Sequence, residues 1–227
     1  MKNLSLSQRQ IILGGLLGDA SLNKKSQYIE FSQGEKQEKY LAWKYSFFNI
    51  DNKIKNVYNT FHNKKFLRYY FNIYRKNMDD EFLSFLFKNL YSNEGRKKIS
   101  FKYLESLNPL GLAIWWMDDG NISLSKENRY GKLSTHCFNY EEHIIIQKYF
   151  KETWGINVSI KKEKEIYYFI RLNATELKKL IKIIYKYVIQ IPNMAYKVDM
   201  CYKYDNCIGE DFIKEYNEIK KVINENS

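Results

Sequence analysis

The sequence predicts an α+β protein of two pseudo-symmetric halves, each running α-β-β-α-β-β-α. One helix from each half should lie at their interface, and the antiparallel sheets should form a saddle. Three observations predict this. Ile12–Ala20 reads ILGGLLGDA and Leu112–Gly120 reads LAIWWMDDG, two apolar runs that each end in a carboxylate. Those carboxylates, Asp19 and Asp119, stand 100 residues apart in a 227-residue chain, and the element order after the first run recurs after the second. The formal net charge is +11. A doubled acid-tipped helix in a basic chain suits an anionic partner that is itself twofold symmetric, and duplex DNA fits that description.

The first helix is expected from Ser7, a plausible N-cap, to about Asp19. Residues 27–33 alternate and read as a strand. Glu35–Phe48 reads as a helix with Tyr40, Leu41, Trp43, Tyr45, Phe47 and Phe48 as its apolar surface. Lys53–Phe61 and Lys65–Arg75 read as a hairpin across His62, Asn63 and Lys64. In its second strand Leu67, Tyr69, Phe71 and Ile73 share one face; Arg68, Tyr70, Asn72 and Tyr74 share the other. Met78–Tyr91 is an amphipathic helix.

The second half opens with a helix over Pro109–Asp119, with proline suited to the first turn. Short strands are expected at Ile122–Ser125 and Lys132–Phe138, then a helix at Tyr140–Trp154. Ile156–Lys162 and Ile166–Leu172 form a second hairpin, in which Tyr167, Phe169 and Arg171 face outward. A helix from Thr175 to about Ile189 completes the unit. The domain expectation is an N-terminal half at 1–108, a C-terminal half at 109–202 and a helical tail at 203–227. The tail's Asp211–Ile223 stretch is amphipathic and reads as a packing helix.

Composition excludes several classes. No apolar run approaches the ~20 residues that span a bilayer, and the polar start, Met1–Arg9, does not resemble a signal peptide. Cys137, Cys201 and Cys207 contain no CxxC pair, which argues against a disulfide framework or zinc site. His62, His136 and His143 lack ligand-like spacing. Any metal should therefore be held by oxygen, as Mg²⁺ is.

The acids sit where a helix C-terminus already carries partial negative charge. If the two tips meet, carboxylates ~5 Å apart repel by about 3 kcal/mol at an effective dielectric of ~20. Such a pair needs a shared proton or bound cations, and a basic, DNA-facing protein favours divalent metal. Gly14, Gly15 and Gly18 remove side-chain bulk from the first run and allow close helix approach. The second run offers Ala113 beside Ile114, Trp115 and Trp116.

These residues resemble the LAGLIDADG homing endonucleases of the monomeric type, with two motifs in one chain. Leu112–Gly120 fits the nine-residue pattern well; Ile12–Ala20 fits more loosely, with Ala20 in place of the final glycine. The resemblance covers nearly the whole chain. It implies that the motif helices form the interface between halves and that Asp19 and Asp119 bind divalent metal over the scissile phosphates. The backbone carbonyls of Ala20 and Gly120 are implied as further metal ligands, and Asp118 as a supporting acid. The family's basic residues map to Lys97 in Arg96–Lys97–Lys98–Ile99, with Lys98 as the competing choice, and to Lys197 in Ile191–Pro192–Asn193–Met194–Ala195–Tyr196–Lys197. Ile114 and Asp118 are bulkier than the small residues often found there, and Gly14 and Gly18 are expected to compensate across the interface.

The outward faces of the hairpins would line a DNA saddle. A strand of ~9 residues spans about 30 Å, or roughly nine base pairs, so two halves read a site near 18 base pairs. Arg68 and Arg171 suit guanine edges, and Asn72 and Asn157 suit adenine. Tyr70 and Tyr167 lie among them. Lys24, Lys25, Lys53, Lys55, Lys64, Lys65, Lys126, Arg129, Lys132, Lys161, Lys162 and Lys164 suit phosphates.

The resemblance implies site-specific double-strand hydrolysis at a long asymmetric target with 3′ overhangs. The implied ion is Mg²⁺, with Mn²⁺ expected to substitute and Ca²⁺ expected to support binding only. The expected partner is double-stranded DNA, with intron RNA as the alternative if the chain is a splicing maturase on the same fold. No membrane and no obligate protein partner are expected. The expected setting is intracellular and DNA-associated, a mitochondrial matrix or bacterial cytoplasm. A non-catalytic DNA-binding regulator ranks third, because the two repeats use nearly every residue and leave no added binding module.

Overall fold

Each acid-tipped run folds as a helix that leads into a four-stranded antiparallel sheet. The computed structural model describes residues 4–23, 25–61, 64–92, 95–124 and 129–200. Helix α1 (Leu6–Leu17) begins at Ser5, two residues before the expected cap. The Ser5 side chain accepts from the Gln8 backbone N–H, and the Gln8 side chain accepts from the Ser5 N–H. This reciprocal capping explains the earlier start. Helix α5 (Pro109–Asp119) has the expected bounds, with Asn108 capping it and Pro109 in its first turn.

The two helices pack against each other. A Cβ added at Gly14 would fall 2.2 Å from the Gly111 carbonyl oxygen and 2.8 Å from Ile114 Cβ. One added at Gly18 would fall 2.4 Å from Asp118 Cβ. Gly14 and Gly18 thus make room for Ile114 and Asp118, as expected. On α5 the close approach runs through Gly111. The space beside Gly111 is filled by Gln10, whose Oε1 accepts from Asn108 N at 2.8 Å and whose Nε2 donates to Ser106 O at 2.8 Å. That amide ties α1 to the turn before α5.

The first half continues as β1 (Ser21–Asn23), β2 (Tyr28–Gly34), α2 (Glu38–Ser46), β3 (Lys55–Phe61), β4 (Lys64–Tyr74), α3 (Asp80–Leu90) and α4 (Phe101–Glu105). The second contains β5 (Gly120–Leu124), β6 (Arg129–Leu133), α6 (Tyr140–Trp154), β7 (Ser159–Glu163), β8 (Tyr167–Asn173) and α7 (Ala174–Val188). The sheet orders are β1-β2-β4-β3 and β5-β6-β8-β7, so the second half repeats the first.

Some expectations shift. β1 is too short for alternation to reveal it, so alternation predicts only one strand before α2. Glu35–Gln37 form a 3₁₀ turn ahead of α2, and the short α4 was not anticipated. The strand expected at Lys132–Phe138 ends at Leu133. Beyond it the chain turns to cap α6, where Asn139 and Glu142 form a capping box and Thr135 Oγ1 lies 2.7 Å from His143 Nε2. The tail at 203–227, Cys201, Cys207 and His62 lie outside the described residues.

One face of each sheet packs into the core, through Ile29, Phe31, Phe71 and Ile73 in the first half and Leu133, Ile170 and Leu172 in the second. Trp115 and Trp116 of α5 are fully buried, and Trp116 Nε1 donates to Lys197 O at 2.7 Å. This bond fixes the 3₁₀ segment Pro192–Lys197 against α5. Among the described residues no helix is long and apolar enough to cross a membrane.

Candidate active site

The α1/α5 packing carries both acidic tips to one place. Asp119 is the last residue of α5, and Asp19 follows the Gly18 cap of α1. The Asp19 N–H donates to Asp118 Oδ2 at 3.3 Å, so the two tips meet across the interface. Burial, then the charges of Asp118 and Asp19, push the Asp119 carboxyl up to about 8, while Lys97 and Lys197 oppose the rise. Burial thus favours the neutral form of Asp119, and a cation bound beside it would favour the ionised form.

Both expected lysines are here. Lys197 is buried and donates from Nζ to Gly120 O at 2.6 Å. Burial lowers its affinity for a proton against the pull of Asp118, Asp19 and Asp119. Lys97 pairs with Tyr91 in an isolated β-bridge. Burial lowers it too, against Cys137 and the same three acids. The Gly120 carbonyl, expected as a metal ligand, already serves Lys197. Ala20 is buried, and its N–H donates to Gly15 O at 2.8 Å.

Three neighbours escaped the sequence. The Lys44 ammonium pairs with Asp118 Oδ1 at 2.7 Å, with the two side chains 1% and 0% exposed. Gln33 Nε2 donates to Asp19 Oδ2 at 2.9 Å and to Asp118 Oδ1 at 3.4 Å. Cys137, an exposed free thiol, is coupled electrostatically to Lys97 and Asp119. Signals for the first two existed. Lys44 falls at helical spacing from Tyr40 and Leu41, on the buried face of its helix, and Gln33 continues the inward strand positions Ile29 and Phe31.

Among the described residues no group of three His, Cys, Asp or Glu side chains could hold a metal ion. Asp19 and Asp119 instead fit an ion of the Mg²⁺ type, which takes one or two carboxylates and completes its shell with water and substrate phosphates.

The sheets place most expected DNA contacts on their outward faces. Strand register puts Lys55, Lys64, Arg68, Tyr70 and Asn72 on one face with Glu30 and Ser32. In the second sheet Lys132, Lys161, Tyr167 and Arg171 share a face with Asn121 and Ser159. Lys65 falls on the opposite face, with Leu67, and Arg129 takes the side of Gly131 and Leu133. Lys25 is exposed in a turn, and Lys53 is exposed just before β3. Asn157 is exposed just before β7, with its N–H held by Glu176 Oε2 at 2.7 Å. Lys24 and Lys126 lie outside the described residues.

Several of these cations are already engaged. Arg68 meets Glu30 at 2.9 Å and lies over Tyr70. Lys132 meets Glu163 at 2.9 Å and lies over Phe169, holding the Glu163 carboxyl below its ordinary range. Arg171 lies over Tyr130.

The model of the LAGLIDADG DNA endonuclease family matches residues 9–180. The chain belongs to the LAGLIDADG DNA endonuclease family. Its fold matches that of the homing endonuclease I-WcaI bound to its DNA recognition sequence, with a TM-score of 0.75 and 22% identity over 88% of each chain. Among curated relatives, protein RecA of Mycobacterium shimoidei is 25% identical over 181 residues, 70% of this chain and 38% of that protein. A probable intron-encoded DNA endonuclease 3 of Mycosarcoma maydis is 32% identical over 114 residues, 50% of this chain and 80% of that protein. The chain spans about half or less of the RecA relatives it matches. In this LAGLIDADG chain the motif helices are α1 and α5.

Proposed function

We propose that the chain is a site-specific, double-strand DNA endonuclease acting as a monomer on a long asymmetric target of intron-homing type. The observation that carries this reading is the packing of Gly14 and Gly18 against Gly111, Ile114 and Asp118, which brings Asp19 and Asp119 together in a strongly basic chain. The sheet faces with Arg68, Tyr70 and Asn72, and with Lys132, Lys161 and Arg171, would read the duplex on either side of the tips. The pseudo-symmetric halves, taken as 1–108 and 109–202, would each serve one half-site. Membership of the family and a fold shared with a DNA-bound homing endonuclease support the reading. It implies an intracellular, DNA-associated protein.

Asp19 and Asp119 would hold divalent metal, with the carbonyl of Ala20 as a further oxygen ligand and that of Gly120 able to join only through the lone pair that Lys197 leaves free. When bound, the metal supplies Lewis-acid activation of the attacking water and stabilisation of the departing 3′ oxygen. Lys97 and Lys197 stand beside the acids, where an ammonium orients water and offsets phosphate charge. Mg²⁺ is the natural ion and Mn²⁺ a substitute; Ca²⁺ supports binding alone. The cut leaves 3′ overhangs.

The test is a cleavage selection on a randomised duplex library with Mg²⁺, and Ca²⁺ in parallel, followed by sequencing of released ends. One long motif with 3′ overhangs, cut only in Mg²⁺, is expected. Enrichment without cuts overturns the catalytic reading; absence of both shifts the partner to RNA.

A further inference from the structure

We propose that the buried Lys44–Asp118 ion pair, acting with Gln33, positions Asp19 through direct hydrogen bonds, so that cleavage of one DNA strand depends on it more than cleavage of the other. The inference rests on the endonuclease reading above. Asp118 belongs to α5, yet its carboxylate crosses to the other motif. Its Oδ2 receives the Asp19 N–H at 3.3 Å, and its Oδ1 receives Lys44 Nζ at 2.7 Å. Gln33 Nε2 spans the two acids, donating to Asp19 Oδ2 at 2.9 Å and to Asp118 Oδ1 at 3.4 Å. Lys44 Nζ also sits 4.0 Å from the centroid of the Tyr40 ring. One Asp19 oxygen is therefore committed to an amide, which orients the other. The Lys44 ammonium holds the Asp118 carboxylate in the orientation that receives the Asp19 N–H.

A fully buried ion pair adds little net stability, because desolvation consumes most of its attraction. Fixed geometry is the better reason for keeping one here. The arrangement is also one-sided. The residue before Asp119 is Asp118, but the residue before Asp19 is Gly18, so α1 sends no carboxylate back. Leu22 and Ile122 each stand three residues past a motif acid, and they pair with Ile29 and Gly131. Four residues beyond these partners stand Gln33 and Thr135. Gln33 reaches Asp19, whereas the Thr135 hydroxyl is engaged by His143 Nε2 at 2.7 Å. The two acids are therefore supported differently although the repeat places them alike. Lys44, Gln33 and Asp118 are positioning residues that act through Asp19.

The test combines two variants. Lys44→Met with Asp118→Asn removes both charges, which avoids stranding one in the interior. Gln33→Ala deletes only the amide and serves if the first fails to fold. Thermal melting and target binding in Ca²⁺ establish that each variant is intact. Cleavage of a target labelled on both strands should then slow by about 10-fold or more on one strand and stay within about 2-fold on the other, a difference of the size that one charge-assisted contact sets. Both variants should spare the same strand, and nicked plasmid should accumulate. Mn²⁺ titration by electron paramagnetic resonance gives a readout independent of turnover, and affinity should fall in both variants. Equal slowing of both strands, or no slowing in a folded variant, overturns the proposal. If the wild-type protein cuts no duplex, the endonuclease reading fails on its own, and unchanged Mn²⁺ affinity in the variants then overturns the positioning role separately.

Discussion

Gly14 lies directly against Gly111: a Cβ on the first would come within 2.2 Å of the carbonyl oxygen of the second. Backbone meets backbone at this crossing, and that contact sets how near Asp19 and Asp119 come to each other. A carbonyl on a packed helix cannot rotate away as a side chain can.

Gly14→Ala should therefore destabilise the protein by about 2 kcal/mol or more, the range for overpacked cores. Gly34→Ala is the control, since nothing lies within 4 Å of a Cβ there. Urea denaturation followed by circular dichroism measures both. A Gly14→Ala midpoint equal to that of Gly34→Ala would show that the helices can spread at no cost.

Asp119→Asn should abolish cleavage and leave target binding in Ca²⁺ intact. Metal-borne charge stabilisation is worth several kcal/mol, which corresponds to a rate loss of about 10³-fold or more. Gel shift and strand cleavage on the selected target provide the two readouts. Retained cutting would remove Asp119 from the chemistry.

The same carboxyl makes metal-free stability depend on pH. Asp119 rises from 3.8 to about 8 on folding, first through burial and then through Asp118 and Asp19. Between those values the folded protein holds a proton that the unfolded chain has released. Its contribution is fully present below 3.8 and is lost as pH rises through about 8. In EDTA, the melting temperature of the wild type should fall relative to Asp119→Asn between about pH 5 and 8, and Mg²⁺ should narrow the gap. A pH-independent gap would mean that the carboxyl is not proton-coupled to folding.

Lys161 and Arg171 should separate affinity from sequence reading. Lys161 is exposed, whereas Arg171 is held over the Tyr130 ring. Lys161→Ala should weaken binding to all targets alike and reduce the salt slope by about one. Arg171→Ala should relax preference at one position of the site by about 1–3 kcal/mol. Binding to single-base target variants at several salt concentrations tests both, and a position-specific effect from Lys161 would reverse the assignment.

The sequence by itself determined the repeat, the two motif helices and the acids at their tips. Pro109 and Asn108 mark where α5 starts, and alternation in Lys64–Tyr74 and Tyr167–Asn173 sorts the outward residues from the core. These are local signals, legible because helix and strand periods repeat along the chain. Lys97 and Lys197 were found through family resemblance, and the structure brings both beside the acids.

Only the tertiary structure decided which partners meet. Lys44 finds Asp118 across 74 residues and Gln10 finds Asn108 across 98, pairings that leave no periodic trace. The same holds for Gly111 under Gly14 and for Glu30 and Glu163, which engage cations that composition alone would leave free for DNA. Periodicity fixes which way a side chain points; only packing between distant segments determines what it touches, because the energies of burial and charge depend on the neighbour supplied by the rest of the fold.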